Sequence, residues 1–311
     1  MAEQNFDDRV HTSLKHLMRL KHQAHGFSFL PKQPIKSVLM GRKRSTIRGR
    51  GLDFVELRDY RPGDDIRSMD WRVTNRMRKP YVRIYAEEKD RPIMIVIDQR
   101  RGMFFGSQWK MKSVIAAELA AISAFKALDD GDRVGFIVLS EERYVECLPT
   151  RSRAKIQQYL ALIAKVNQQL RTNHAERKKQ KISMPELLTK TEKLITHDYL
   201  LIVISDFNER QTNVLASLSR LTEHNDIIVF YVYDQLEHDI SRLEDVVVGD
   251  GEFQKQISTE NKALIDDYNR FTQQALEAMK SKFSKHNIPM LFFSTQDDVA
   301  KQIRHHLGAT L

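Results

Sequence analysis

The sequence contains a single cysteine, Cys147, among its 311 residues. One thiol excludes an internal disulfide framework and any zinc site built from several cysteines. Cys147 lies in the run from Arg143 to Leu148, where polar and apolar residues alternate. We therefore expect Cys147 to be a buried, small hydrophobic residue rather than a nucleophile.

Long hydrophobic runs are also lacking. No stretch approaches the roughly 18 uncharged apolar residues that a membrane span requires. Near the start, Glu3, Asp7 and Asp8 are not typical of a signal peptide. We therefore expect a soluble, cytoplasmic protein without a membrane span.

The glycine-rich loops of common cofactor-binding enzymes are absent as well. The sequence has no Gly-x-x-x-x-Gly-Lys-Ser/Thr loop, which excludes a P-loop ATPase. It has no Gly-x-Gly-x-x-Gly turn after its most hydrophobic strand and no Gly-x-Ser-x-Gly nucleophile elbow. We expect a non-enzymatic protein without an organic cofactor.

Positive charge is abundant and is concentrated in one segment of the chain. The chain has 50 Lys and Arg against 41 Asp and Glu, and 15 of these cations and 9 of these acids lie in residues 42–91. A net charge of +9 permits binding to nucleic acid, to an anionic lipid surface or to an acidic protein.

The run from Gly41 to Gly51 carries five cations and no acid, which suits phosphate contacts. Nucleic-acid binding through this run is therefore an alternative function. Against it, the run has no aromatic side chain for base stacking, and Gly49 and Gly51 also suit a turn or bulge. The five cations are Arg42, Lys43, Arg44, Arg48 and Arg50.

The run Pro92–Ile97 is unbroken apolar sequence that ends in Asp98, which is typical of a strand buried on both faces. A second such strand, 199–205, is followed by Asp206. Further strands are predicted at 79–85, 133–139, 143–148, 227–233 and 289–293, with a hairpin around Gly249-Asp250-Gly251. Helices are predicted at 6–24, 110–128, 154–166, 184–195, 211–223, 259–286 and the C-terminus, with a polar excursion at 167–181.

Strands that alternate with helices predict an α/β fold with a doubly wound, mostly parallel sheet. The predicted organisation is an N-terminal helix and linker at 1–34, a β-rich basic lead-in at 35–91 and the α/β domain at 92–311.

The densest motif lies in residues 52–72, where acids and arginines alternate around the Pro62-Gly63 turn. We interpret it as an ion-pair network that locks the turn against Trp71. A catalytic acid cluster is the alternative, but neighbouring arginines hold carboxylates ionised, which suits structure better than proton transfer. The charged residues concerned are Arg58, Asp64, Asp65, Arg67 and Asp70.

Asp98 and Asp206 each follow a core strand, so both can reach one crevice at the carboxyl edge of the sheet. Two such carboxylates suit a divalent cation such as Mg²⁺, and a metal-dependent hydrolase is a second alternative function.

The strand-end motif resembles that of the von Willebrand factor A domain, in which Asp-x-Ser-x-Ser follows the central strand. Here the motif reads Asp98-Gln99-Arg100-Arg101-Gly102, so Arg100 and Gly102 replace both serines. The resemblance makes Thr150 the candidate for that family's threonine ligand. Because a cation replaces a hydroxyl ligand, we expect Arg100 or Arg101 to pair with Asp98 or Asp206 in place of a metal.

Several separated motifs also resemble the bacterial "domain of unknown function fifty-eight" family over roughly residues 35–235. They include Tyr81-Val82-Arg83, Gly131-Asp132-Arg133-Val134-Gly135 and Ser205-Asp206-Phe207. The signature residues of the lead-in are Arg58, Asp59, Tyr60, Pro62, Gly63, Asp64, Asp65, Arg67, Asp70 and Trp71.

This resemblance implies a von Willebrand A-like fold preceded by a β-rich lead-in. It also implies an adaptor that works with a MoxR-type AAA+ ATPase, and with other von Willebrand A-domain proteins, in chaperone-like assembly. The predicted docking crevice comprises Asp98, Arg100, Arg101, Gly102, Thr150 and Asp206.

Overall fold

The computed structural model of the protein describes residues 7–29, 52–87, 91–170, 182–207, 211–241, 245–249, 254–258 and 262–308. The chain divides into two compact units. Residues 1–30 and 91–311 form the first, here called the α/β unit, and residues 31–90 form the second, here called the lead-in unit.

In chain order the strands are β1 (Leu52–Asp59), β2 (Tyr81–Glu87), β3 (Pro92–Asp98), β4 (Arg133–Leu139), β5 (Tyr144–Thr150), β6 (Leu200–Ser205), β7 (Asp226–Tyr233), β8 (Asp245–Gly249), β9 (Gln254–Ser258) and β10 (Met290–Ser294). The α-helices are α1 (Leu14–Arg19), α2 (Trp71–Met77), α3 (Lys112–Asp129), α4 (Arg153–Gln168), α5 (Met184–Leu194), α6 (Gln211–Leu221), α7 (Gln235–His238), α8 (Lys262–Lys285) and α9 (Val299–Leu307).

The α/β unit is built on a six-stranded sheet with the order β10-β7-β6-β3-β4-β5. Its first five strands are parallel to their neighbours, and only β5 runs antiparallel, beside β4 at one edge. All seven residues of β3 are buried, as its unbroken apolar sequence predicts. The predicted fold class, a von Willebrand A-like and mostly parallel α/β sheet, is confirmed.

Each face of the sheet carries its own hydrophobic core, because successive side chains of a strand point to opposite faces. Ile93, Ile95 and Ile97 of β3 lie in the core that contains α3 and α4, whereas Met94 and Val96 lie in the core that contains α5. Helix α3 is buried almost all round, from Lys112 to Phe125. Cys147 on β5 is also buried, and burial raises the pKa of its thiol to about 11.

Helix α1 packs inside the α/β unit rather than standing apart from it. Its buried Leu17 and the following Leu20 join the core around α3. The helix is shorter than the predicted 6–24, because the Ser13 side chain accepts a hydrogen bond from the His16 N–H and caps it at that point. A 3₁₀ turn extends it to Gln23.

In the lead-in unit, β1 and β2 pair antiparallel with a register shift between Phe54 and Glu56. Gly63 has a φ of 103° in the predicted Pro62-Gly63 turn, a conformation that glycine adopts without a steric penalty. Asp70 caps α2 by accepting hydrogen bonds from the N–H groups of Arg72 and Val73.

Strands β8 and β9 form the predicted antiparallel hairpin, with Gly249 opposite Gln254. Helix α4 continues to Gln168, and residues 171–181 of the predicted polar excursion lie outside the described residues. Within the part of the chain that is described, no helix has both the length and the apolar character needed to cross a membrane.

Candidate functional site

The carboxyl ends of β3 and β6 meet at one edge of the sheet. The two strands are parallel and neighbouring, with Ile97 opposite Ile204. Asp98 and Ser205 therefore end their strands at the same level, and Asp206 follows one residue later. Asp98 is 1% exposed and Asp206 is 8% exposed. The structure thus brings the two predicted carboxylates into one crevice.

Arg100 holds the Asp98 carboxylate. Its Nε lies 2.9 Å from Oδ1 and its Nη2 lies 2.6 Å from Oδ2, which makes a two-pronged pair. The Ser205 hydroxyl donates a further hydrogen bond of 2.8 Å to Oδ2. Burial opposes the charged guanidinium, but the bonded Asp98 carboxylate, together with the charges of Asp206 and Glu141, outweighs burial and raises the pKa of Arg100.

Lys112, at the start of α3, holds the second carboxylate. Its Nζ lies 2.7 Å from Oδ2 of Asp206 and also contacts Oε1 of Glu237. The lysine has no solvent exposure. Burial alone lowers a lysine pKa, but the carboxylates of Asp206 and Glu237 outweigh it and raise the pKa of Lys112. Sequence reasoning missed both Lys112 and Glu237.

A third acid, Asp234, ties the loop after β3 to the same edge of the sheet. It follows β7, is fully buried, and accepts hydrogen bonds from Ser107 N at 2.9 Å and from Ser107 Oγ at 2.6 Å. Thr295, just after β10, donates another of 2.5 Å. Burial favours a raised pKa for Asp234, but these hydrogen bonds outweigh it and lower the pKa. These hydrogen bonds therefore hold the loop against the carboxyl ends of β7 and β10.

The remaining motif residues lie on that loop. The Arg101 N–H donates a hydrogen bond of 3.1 Å to Oε2 of Glu141. A Cβ atom on Gly102 would lie 3.7 Å from Oδ2 of Asp206, which is an ordinary contact distance. Gly102 therefore faces Asp206 across the crevice.

Thr150 does not lie in the crevice, so its predicted place there is wrong. Strand β5 is antiparallel to β4, and Thr150 pairs with Val134. Val134 is in turn level with Ile93, near the beginning of β3. Thr150 therefore lies at the amino edge of the parallel strands, opposite Asp98.

The crevice does not fit the divalent cation that a von Willebrand A-like fold implies. Asp98 is bonded to Arg100, and Asp206 is bonded to Lys112. Two positive side chains thus lie where an ion would compete for the same oxygens. Among the described residues, no group of three or more His, Cys, Asp or Glu side chains is arranged to hold a metal.

The charged residues of the 52–72 motif are engaged in separate ion pairs. Arg58 holds Asp64 with two hydrogen bonds of 2.6 and 2.9 Å, and Arg83 holds Asp70 with one of 2.7 Å. These side-chain hydrogen bonds lower the pKa of both carboxyls, which opposes a role in proton transfer.

The other signature residues are structural or exposed. Asp65 accepts a hydrogen bond from the Arg67 N–H at 2.9 Å, and the Tyr60 N–H donates one of 2.8 Å to Pro80. Asp59 and Pro62 are exposed. Trp71 is 65% exposed, so the interpretation that the turn is locked against it is wrong.

The basic run with Arg42, Lys43, Arg44, Arg48 and Arg50 lies outside the described residues. Nucleic-acid binding by that run stays a prediction.

Comparison with protein families finds one match that covers most of the chain. The model described as "Protein of unknown function DUF58" matches residues 56–278. Uncharacterized proteins Mb1516 of Mycobacterium bovis and Rv1480 of Mycobacterium tuberculosis are each 35% identical to the chain over 107 residues. That alignment covers 34% of this chain and 34% of each relative, so the chain spans about a third of their length.

Two solved structures have weaker similarity. The conserved hypothetical protein BatB from Bacteroides thetaiotaomicron is 13% identical, with a TM-score of 0.34 over 63% of this chain and 98% of that chain. The SpRpn10 VWA domain is 10% identical, with a TM-score of 0.36 over 72% of this chain and 100% of that chain.

Proposed function

The chain belongs to the DUF58 family, and we propose that this member is a non-enzymatic, cytoplasmic interaction module that docks a protein partner at its crevice. The docking residues are Asp98, Arg100, Arg101, Gly102 and Asp206. Two further side chains on the same loop, Phe105 and Trp109, complete the surface.

One observation carries this proposal. The loop after β3 joins two neutralised carboxylates to two partly exposed aromatic side chains, Phe105 at 37% and Trp109 at 38% exposure. Aromatic side chains beside a pre-organised polar cluster are typical anchors of protein interfaces. Lys110 lies 4.4 Å from the Trp109 ring centroid, a cation–π distance that orients the indole.

The pairing of the carboxylates favours recognition over catalysis. A general base must be free to take a proton, whereas Asp98 is bonded to Arg100 and Ser205, and Asp206 is bonded to Lys112. The two internal cations also keep the crevice assembled without Mg²⁺. The partner is thus bound through side chains rather than through a shared ion.

The partner that the family resemblance favours is a MoxR-type AAA+ ATPase, with a chaperone-like assembly role for the pair. The test is a pull-down of the full chain with the purified MoxR-type ATPase of the same organism, with and without nucleotide. We expect capture that Trp109→Ala weakens by about tenfold, since a central aromatic anchor contributes more than 1 kcal/mol.

Leu148→Ala is the matched control, because Leu148 is 67% exposed on the edge strand β5, away from the loop. It should leave capture unchanged. Asp206→Ala should also reduce capture, with a melting curve to verify that the variant is folded. No association in either nucleotide state contradicts the proposed partner.

A further inference from the structure

A groove in the lead-in unit lies between α2 and the start of β2, outside the crevice just described. It has a volume of about 520 Å³. The residues that line it are Trp71, Thr74, Asn75, Arg78, Lys79 and Pro80, here called the Trp71 groove.

The groove contains one unusually exposed apolar side chain. Trp71, which lines it, is 65% exposed. The first turn of α2 is nevertheless well fixed, since the cap residue Asp70 is 7% exposed and pairs with Arg83. A capped helix that presents an indole to solvent is typical of an interaction surface.

The charge of the lead-in unit defines what this surface attracts. Residues 31–90 contain 16 Lys and Arg against 9 Asp and Glu, so this unit carries +7 of the chain's net charge of +9. Residues 71–86 contain five cations and no acid. One of these five cations, Arg83, forms an ion pair with Asp70.

The other four cations, Arg72, Arg76, Arg78 and Lys79, have no ion-pair partner among the described residues. Two of these cations, Arg78 and Lys79, line the groove with the exposed indole, and such cations attract carboxylates by long-range steering. An acidic ligand is therefore complementary to this surface.

The apolar part of the surface distinguishes a polypeptide from a nucleic acid. Single-stranded nucleic acid is bound by aromatic side chains on which successive bases stack. Here the groove has a single indole, with Pro80 in the same lining, which offers one apolar contact rather than a series of stacking platforms. We propose that the Trp71 groove binds an acidic polypeptide segment, with one apolar side chain against Trp71 and carboxylates on Arg78 and Lys79.

Trp71 can itself report on binding, because the chain has only two tryptophans. In the full-length Trp109→Phe variant, Trp71 is the sole indole. The probe is a dodecapeptide that repeats Glu-Glu-Leu-Phe. We expect a saturable blue shift of Trp71 emission as the peptide displaces water from the indole. A peptide with Lys in place of Glu should give no shift.

The variant Arg78→Glu/Lys79→Glu should weaken binding of the labelled peptide, measured by fluorescence anisotropy, by at least about tenfold. Lys282→Glu/Lys285→Glu is the matched control, because it makes the same charge change at exposed residues of α8. This control should bind within about twofold of the native chain, because neither lysine lines the groove and screened surface charges contribute little.

Trp71→Ala provides a second test that does not alter charge, and melting curves establish that each variant is folded. We expect it, too, to weaken binding by about tenfold. The proposal is overturned if the peptide causes no emission shift, or if both charge reversals weaken binding equally. Tighter, Trp71-dependent binding of oligothymidylate than of the peptide also overturns it and assigns the groove to nucleic acid.

Discussion

The ammonium nitrogen of Lys112 lies 2.7 Å from Oδ2 of Asp206, on a side chain that is 1% exposed to solvent. The same nitrogen contacts Glu237. An internal cation therefore neutralises the acid that follows β6, while Arg100 neutralises the acid that ends β3. The crevice carries its own positive charges, and we expect them to govern its stability and its response to metal ions.

Replacing Lys112 by methionine should destabilise the α/β unit by about 3–5 kcal/mol, because it leaves the buried Asp206 carboxylate and the partly buried Glu237 carboxylate without their cation. Urea denaturation measures the loss. Lys126→Met on the same helix is the control, since Lys126 pairs with the more exposed Asp130 and should lose less than about 1 kcal/mol. Equal losses in the two variants contradict this account.

The sign of the pH dependence follows from the raised pKa of Lys112. A raised lysine pKa means that the folded state holds the proton more tightly, so the stabilisation is complete below the ordinary value of 10.5. It is lost as the pH rises through the higher folded value. The stability difference between the native chain and Lys112→Met should therefore persist at neutral pH and shrink only in strong alkali.

Adding Mg²⁺ or a chelator should change neither the melting temperature nor the heat of mixing of the native chain. Arg100 and Lys112 already engage the oxygens that the ion would need. Isothermal titration calorimetry with MgCl₂ measures this directly. A binding heat that disappears in Asp98→Asn would show that the ion displaces Arg100, contrary to this expectation.

The parallel sheet and the proximity of Asp98 to Asp206 could be predicted from the sequence, because buried parallel strands are unbroken apolar runs. Parallel neighbours necessarily bring their carboxyl ends to one edge. The position of Thr150 at the amino edge of the sheet can be predicted in the same way, if the 143–148 run is placed antiparallel beside β4. An antiparallel strand ends at the edge of the sheet where its parallel neighbours begin. That Thr150 follows a strand does not by itself reveal the direction of that strand.

Lys112 was harder to predict, because lysine is normally solvated and thirteen residues separate it from Asp98, the end of β3. Its contact with Asp206 depends on how the intervening loop folds, and that fold is set by distant hydrogen bonds from Ser107 to Asp234. One signal was present: α3 is apolar nearly all round, so a lysine in its first turn has no exposed face to occupy.

Glu118→Gln should destabilise the attachment of α1. The Glu118 carboxylate is 1% exposed and accepts hydrogen bonds from Lys110 at 2.7 and 2.9 Å and from His16 at 2.6 Å. Removing its charge leaves Lys110 unneutralised, so we expect a loss of about 3 kcal/mol or more. Hydrogen exchange should accelerate in α1 more than in β4.

Glu192→Gln is the control for that experiment. Glu192 pairs with Arg220 at the surface, 3.4 Å away, with both side chains at least 40% exposed. A loss below about 1 kcal/mol is expected. If α1 exchanges no faster in Glu118→Gln than in Glu192→Gln, the carboxylate does not anchor the helix.

Arg58→Gln should raise the pKa of Asp64 towards its ordinary value of 3.8, because the arginine hydrogen bonds are what lower it. A lowered carboxyl pKa stabilises the fold above 3.8, and that stabilisation is lost as the pH falls through the folded value. NMR titration of the Asp64 carboxyl measures the change. Arg67→Gln should leave the Asp64 titration unchanged.

The core of the α/β unit extends beyond the segment that defines the family. Leu17 and Phe27 on one side and Val299 and Ile303 on the other pack into the core around α3, whereas the family match spans residues 56–278. A recombinant fragment cut at those limits would also lose β10 and expose the bonding edge of β7. Such a fragment should aggregate on expression, so crystallisation and binding studies need boundaries that retain α1 at one end and α9 at the other.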